Sequence, residues 1–197
     1  YNNLAYIYID EEKLDTAEEY FQKSLDLKIK TFGSNHSLVG LAYMNLGALE
    51  YTMKKYNVSE KNLLAALANY NTSLNGTHVW IGLANYWYGK ILIEKAQYAE
   101  AEKSINKAIN IYNKNYSADH SNVISAYAEL GVVKFHLKKY NEAEKLLVDG
   151  FEKIKKIKGN SNFNTIRQLE YVIKFYEKIK NFEKAKYYKG LLNNSGS

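Results

Sequence analysis

The chain has 197 residues, 46% hydrophobic and 24% charged, the balance of an ordinary soluble globular protein. It contains no cysteine, which excludes disulfides, thiolate metal sites and cysteine nucleophiles, and no proline, which leaves long helices uninterrupted. The net charge is +6, but 26 of the 27 basic residues are Lys and they are interleaved with Glu along the sequence, so the excess reads as composition drift rather than the clustered footprint of a nucleic-acid binder.

Tyr1 already falls inside a repeating pattern, so the chain reads as a piece of a longer protein whose first repeat is truncated. Stepping 42 residues takes Leu14 to Tyr56, Tyr98, Tyr140 and Phe182, Glu18 to Glu60, Glu102 and Glu144, and Ala17 to Ser59, Ala101, Ala143 and Ala185. No insertion or deletion interrupts the step. A fixed period of this size predicts a solenoid, one supersecondary unit stacked on copies of itself.

The repeats run 1–34, 35–76, 77–118, 119–160 and 161–192. Each holds two helical segments. In the second, Val39, Leu41, Tyr43, Leu46, Leu49 and Met53 mark a helix over Leu38–Met53, and Leu63, Leu64, Leu67 and Tyr70 mark another over Tyr56–Tyr70. The short break at Lys54-Lys55 makes the two antiparallel neighbours. Asn35, Thr77, Asp119 and Ser161 are read as N-caps of the first helices, with Gly33, Gly76 and Gly159 just before them, where the preceding helix stops and a positive φ is expected. Gly47, Gly89 and Gly131 occupy one register of the first helices and are expected to face the small residues Ala17, Ser59, Ala101 and Ala143. In the last repeat Ile173 replaces that glycine, and the unit reads as a C-terminal cap. Residues 193–197 form a polar tail.

No residues here form a catalytic constellation, a phosphate loop or a metal site. His36, His78 and His120 recur once per repeat and are too far apart for one ion, so they read as structural loop residues. No cofactor is implied. No run of 18 or more apolar residues occurs, so no membrane segment is expected, and the cytoplasm is the reading for location.

Leu46-Gly47, Tyr56-x-x-Ser59 and Ala66-Leu67 resemble the tetratricopeptide repeat. The 42-residue length, with Gly33-Ser34-Asn35-His36-Ser37-Leu38-Val39 and Asn45-Leu46-Gly47, is similar to the kinesin-light-chain type of that repeat. Two departures stand out: the proline after each histidine is missing, and Glu12, Lys54, Ala96, Lys138 and Lys180 replace the glycine usual between the two helices. In the C-terminal third, Leu130-Gly131, Tyr140-Asn141-Glu142-Ala143-Glu144 and Gly150-Phe151 are also similar to repeats appended to bacterial Hanks-type serine/threonine kinases, although no kinase motif is present.

The resemblance implies an all-α right-handed superhelical solenoid of antiparallel helix pairs, about five repeats long, whose first helices line a concave groove that takes a protein or an extended peptide. Carried over position by position, the groove residues are Asn3, Tyr6, Met44, Asn45, Tyr51, Tyr86, Trp87, Lys90, Glu129, His136, Tyr171 and Lys174, with Ile93, Ala128, Val132 and Arg167 in the same registers. Asn45 matches an asparagine that holds the ligand backbone in peptide-binding relatives. The function implied is a non-catalytic scaffold, the C-terminal interaction module of a signalling kinase. Alternative readings are the peptide-sensing arm of a transcriptional regulator, or a self-association module acting through the apolar edge of the truncated first repeat.

Overall fold

A computed structural model describes residues 1–193. Among them the chain forms the helices α1 (Asn2–Asp10), α2 (Leu14–Phe32), α3 (Ser37–Thr52), α4 (Tyr56–Ser73), α5 (Val79–Glu94), α6 (Tyr98–Asn115), α7 (Ser121–His136), α8 (Tyr140–Lys158), α9 (Phe163–Lys178) and α10 (Phe182–Asn193). Asn193 closes α10, and the rest of the expected polar tail lies outside the described residues. Two compact units result, Tyr1–Lys114 and Asn115–Ser197. Within each unit successive helices pack side by side, and the odd-numbered helices also touch (α3 on α5, α7 on α9). Each unit is therefore an all-α stack of helix pairs.

The step of 42 is visible in the cores. Ala17, Ser59, Ala101 and Ala143 are fully buried. Gly47 faces Ser59 as expected, with Ser59 Oγ donating to the Gly47 carbonyl at 2.6 Å, while the nearest obstacles to a Cβ on Gly47, Gly89 and Gly131 stand about one turn further along the second helix. A Cβ on Gly47 would fall 2.7 Å from Leu63 Cγ and 3.2 Å from the Ser59 carbonyl, and one on Gly89 would fall 2.5 Å from Ile105 Cδ1. On Gly131 it would fall 2.9 Å from both Leu146 Cβ and the Leu147 nitrogen. A further compensated pair was not read from the sequence. Gly40 and Gly82 receive the rings of Tyr70 and Tyr112. At the same registers of the next repeat, Ile124 and Ile154 pack together in one cluster, so a small–large pair is exchanged for two medium side chains of similar joint volume.

Local backbone chemistry ends each helix. At the break inside every repeat, Glu12, Lys54, Ala96, Lys138 and Lys180 have φ of 59°, 60°, 57°, 61° and 60°. The flanking bonds form a Schellman pair: Lys54 N–H donates to the Tyr51 carbonyl at 2.9 Å and Lys55 N–H to that of Glu50 at 2.8 Å. The turn therefore keeps the left-handed geometry that glycine normally supplies. At the break between repeats, Gly33 and Gly159 have φ of 79° and 83°, whereas Gly76, against expectation, does not have a positive φ.

The expected N-caps are displaced by one residue. The histidines themselves cap: Nδ1 of His36, His78 and His120 accepts from the backbone N–H of Leu38, Trp80 and Asn122, each at 3.2 Å. Asn162 Oδ1 does the same for Asn164 at 3.0 Å. An imidazole reaches the N–H two residues on as an Asn side chain does, provided the ring proton is on Nε2. His120 also stacks on Tyr116 at 3.8 Å. We expect His120→Ala to cost about 1 kcal/mol and His120→Asn to keep most of that stability in urea unfolding. Equal losses for both would mean that the ring stack, not the cap, is what matters.

Glu50 is a buried carboxylate, 3% exposed, whose two oxygens each accept from Asn62 Nδ2 at 2.8 Å. Burial raises its pKa; the Asn62 bonds oppose this, Glu18 adds to it and Lys55 opposes it. The charged form is thus the costly one. Glu50→Gln is expected to be more stable than the wild type at neutral pH, with the difference closing as pH falls through the raised carboxyl pKa. Thermal melts across the acid range would check this; a gap that widens toward acid would contradict it.

Candidate functional site

In the first unit the inner faces of α3 and α5 form an aromatic cluster. The Lys90 ammonium lies 4.4 Å from the centre of the Tyr51 ring, 4.6 Å from that of Trp87 and 5.7 Å from that of Tyr86. Tyr51 and Trp87 rings meet at 5.5 Å, and Tyr86 meets Trp87 edge-on at 5.7 Å. Tyr51 OH donates to Glu94 Oε1 at 3.0 Å, tying the second repeat to the third. Lys90 is 4% exposed, while the three rings are only half-buried. A desolvated cation among ring faces is held by about 2 kcal/mol. The result is a fixed set of large, partly accessible π-surfaces with an exposed carboxylate, Glu94, at its edge.

Further along α3, Asn45 donates to Asn2 Oδ1 at 2.9 Å. Tyr6 packs edge-on against Phe21 at 5.3 Å and is still 47% exposed, and its partial burial raises its pKa.

In the second unit, Glu129 on α7 and Arg167 on α9 form an ion pair at 2.5 Å. Glu129 Oε2 is buried and makes no hydrogen bond among the described residues. Tyr171 lies between Arg167, 5.3 Å from its ring, and Lys174, 5.1 Å away. His136 approaches the Tyr171 ring edge-on at 6.1 Å. Burial, and then the charge of Lys174, lower the His136 pKa.

Not every residue assigned to an open groove is in the open. Met44, Asn45, Lys90 and Glu129 are 4%, 4%, 4% and 3% exposed, and Ile93, Ala128 and Val132 are buried as well. Asn45, Lys90 and Glu129 meet Asn2, Tyr51 and Arg167 of the neighbouring repeat, whereas Ala128 packs against Gly150 of its own repeat and Met44 joins the core of Leu63, Ala66, Tyr70 and Ile81. Asn3, Tyr6 and Lys174 are exposed, and Tyr51, Tyr86, Trp87, His136 and Tyr171 are half-buried. Missed from the sequence were the specific pairs, Asn45 with Asn2, Tyr51 with Glu94 and Glu129 with Arg167. Their separations of 43, 43 and 38 residues bracket the repeat length, so the pairs could have been sought one period apart. Among the described residues no group of three or more His, Asp or Glu is placed to hold a metal ion, and no helix is long and apolar enough to cross a membrane.

Residues 1–75 and 80–153 match the sequence model of the tetratricopeptide repeat. The chain belongs to the tetratricopeptide repeat family. No curated protein sequence matches it significantly. Among solved structures, a Podosopora anserina kinesin-light-chain-type array of nearly identical TPR-like repeats superposes with a TM-score of 0.74 at 15% identity, over 98% of this chain and 92% of that one. The apo form of RapI gives 0.75 at 15% identity, over 99% and 70%. A Rap protein complexed with competence and sporulation factor gives 0.76 at 13% identity, over 98% of this chain and 52% of that one. At these identities the similarity is one of fold. Tetratricopeptide repeats are protein-interaction modules.

Proposed function

We propose that the protein is a non-catalytic tetratricopeptide scaffold that binds an extended peptide of a partner protein, with Trp87, Tyr86 and Tyr51 as anchors. The observation that carries this reading is the Lys90-centred ring cluster. Rigid aromatic side chains bury much area at little entropic cost, which is why Trp and Tyr dominate binding hot spots. Lys90, buried beneath the three rings, orders them. The Rap protein complexed with competence and sporulation factor supports the reading, since it has the same fold and holds a bound factor.

The test uses peptides selected from a random display library on the wild-type chain. Trp87→Ala is expected to weaken such a peptide by about 2 kcal/mol, roughly 30-fold. Selected peptides that bind the Trp87→Ala and Tyr86→Ala variants unchanged, with melting curves preserved, would move the site elsewhere. The further step, a C-terminal module of a signalling kinase, rests on the resemblance of the C-terminal repeats. The alternative, the peptide-sensing arm of a transcriptional regulator, fits the Rap comparison equally well. Kinase motifs or a helix-turn-helix upstream of Tyr1 would decide between them.

A further inference from the structure

The net charge of the chain is not spread evenly, contrary to what interleaving along the sequence suggested. The first unit carries 12 of the 27 basic and 12 of the 21 acidic residues, and the second carries 15 and 9, so the whole +6 belongs to residues 115–197. Its densest part is the end of α8 and the loop into α9. Four of the six residues 153–158 are lysines, Lys153, Lys155, Lys156 and Lys158. At the corresponding positions of the second repeat, 69–74, no residue is charged. Lys153, Lys156 and Lys158 are exposed, and none of the four forms an ion pair among the described residues. Lys155 is half-buried and lies 5.6 Å over the Phe151 ring.

Two large apolar side chains stand out from the same segment. Ile157 is 48% exposed and Phe163, at the start of α9, is 73% exposed. Packing does not require an aromatic there: one, two and three periods earlier the position holds Ser121, Val79 and Ser37. At the matching loop of the first unit Phe32 stacks on His36 at 4.8 Å, whereas Phe163 has no ring partner among the described residues. Lys153, Lys156 and Ile157 share one stripe of α8 by their spacing of three and four.

We propose that this tip docks on an anionic lipid surface, with Phe163 and Ile157 entering the headgroup–acyl boundary and Lys153, Lys156 and Lys158 facing the lipid phosphates and carboxylates. Apolar side chains ringed by lysines are the two components of peripheral membrane binding, burial and charge attraction. The chemistry favours lipid over nucleic acid. A single strand would stack on Phe163 but has no use for the aliphatic Ile157, and lysine offers a point charge without the forked donors that read bases. The site is separate from the ring cluster of α3 and α5 and does not depend on the peptide-binding reading.

The test is co-sedimentation of the whole chain with vesicles of phosphatidylcholine alone, or containing about one-third phosphatidylserine, at low and physiological salt. Binding is expected to the anionic vesicles only, to weaken with salt, and to fall about fivefold for each of Lys153→Gln, Lys156→Gln and Lys158→Gln. Phe163→Ser, which installs the residue found at two of the three equivalent positions, is expected to weaken it about tenfold with the fold intact. A Phe163→Trp reporter should be quenched by brominated acyl chains. Absence of binding to the anionic vesicles, or binding unaffected by Phe163→Ser and the lysine variants, would overturn the proposal. So would retention of a single-stranded oligonucleotide that is lost in the lysine variants but indifferent to Ile157→Asn, if vesicle binding is absent.

Discussion

Replacing Glu12, Lys54, Ala96, Lys138 and Lys180 together by glycine is expected to stabilise the protein by about 2–5 kcal/mol. All five hold φ between 57° and 61°. In that region an L side chain brings Cβ against the following carbonyl, at about 1–2 kcal/mol per residue. Glycine removes the clash and gives back part of the gain through its freer unfolded chain, leaving about 0.5–1 kcal/mol per site. Little opposes the exchange, because all five residues are exposed. The sharpest single comparison uses one chemical change at two places. Ala96→Gly should raise the urea midpoint, while Ala68→Gly, on the exposed face of α4, should lower stability by about 1 kcal/mol. A multiple variant that melts no higher than the wild type would show that these turns are unstrained. Their glutamate, lysines and alanine would then need no explanation beyond drift.

The opposite effect is expected at the α7–α8 contact. Gly131→Leu should destabilise the second unit by about 3 kcal/mol, and Gly131→Ala by about 1 kcal/mol despite alanine's better helix propensity. A Cβ at this position would lie 2.9 Å from the Leu147 nitrogen and 3.1 Å from the Leu146 carbonyl carbon. These are backbone atoms inside α8, and they can yield only if the two helices part. At Gly89 the close obstacles are side-chain atoms, Cδ1 and Cγ1 of Ile105, with the nearest backbone atom at 3.5 Å, so Gly89→Ala should cost less. Gly190, with nothing within 4 Å of the added carbon, is the control at which alanine should be neutral or mildly stabilising. Circular dichroism melts of the set give the order Gly190→Ala, Gly89→Ala, Gly131→Ala, Gly131→Leu from most to least stable; any inversion that places Gly131→Ala above Gly89→Ala would remove the close-approach argument.

What could be read from the sequence was whatever repeats by simple translation. The paired helices and the buried small row of Ala17, Ser59, Ala101 and Ala143 follow from a period of 42, because identical local chemistry at a fixed spacing must build identical local structure; the family was carried by the resemblance of Leu46-Gly47, Tyr56-x-x-Ser59 and Ala66-Leu67. The aromatic character of α5 was legible from its composition alone, since Tyr86 and Trp87 have no aromatic counterpart one period away (Met44 and Asn45, Ala128 and Glu129). The caps moved by one residue because an imidazole nitrogen can do what the preceding Asn, Thr or Asp was expected to do, and only coordinates decide which acceptor reaches the N–H groups of the first turn. The period says how far away to look for the partners of Glu129 and Asn45, but not which polar pairs actually meet. Whether a polar side chain on an inner face meets solvent or the neighbouring repeat depends on how closely alternate helices approach, and that distance is set by the side chains of two repeats together. The same holds for Phe163 and Ile157: in the sequence they are two apolar residues beside lysines, and the packing of α8 and α9 is what leaves them uncovered.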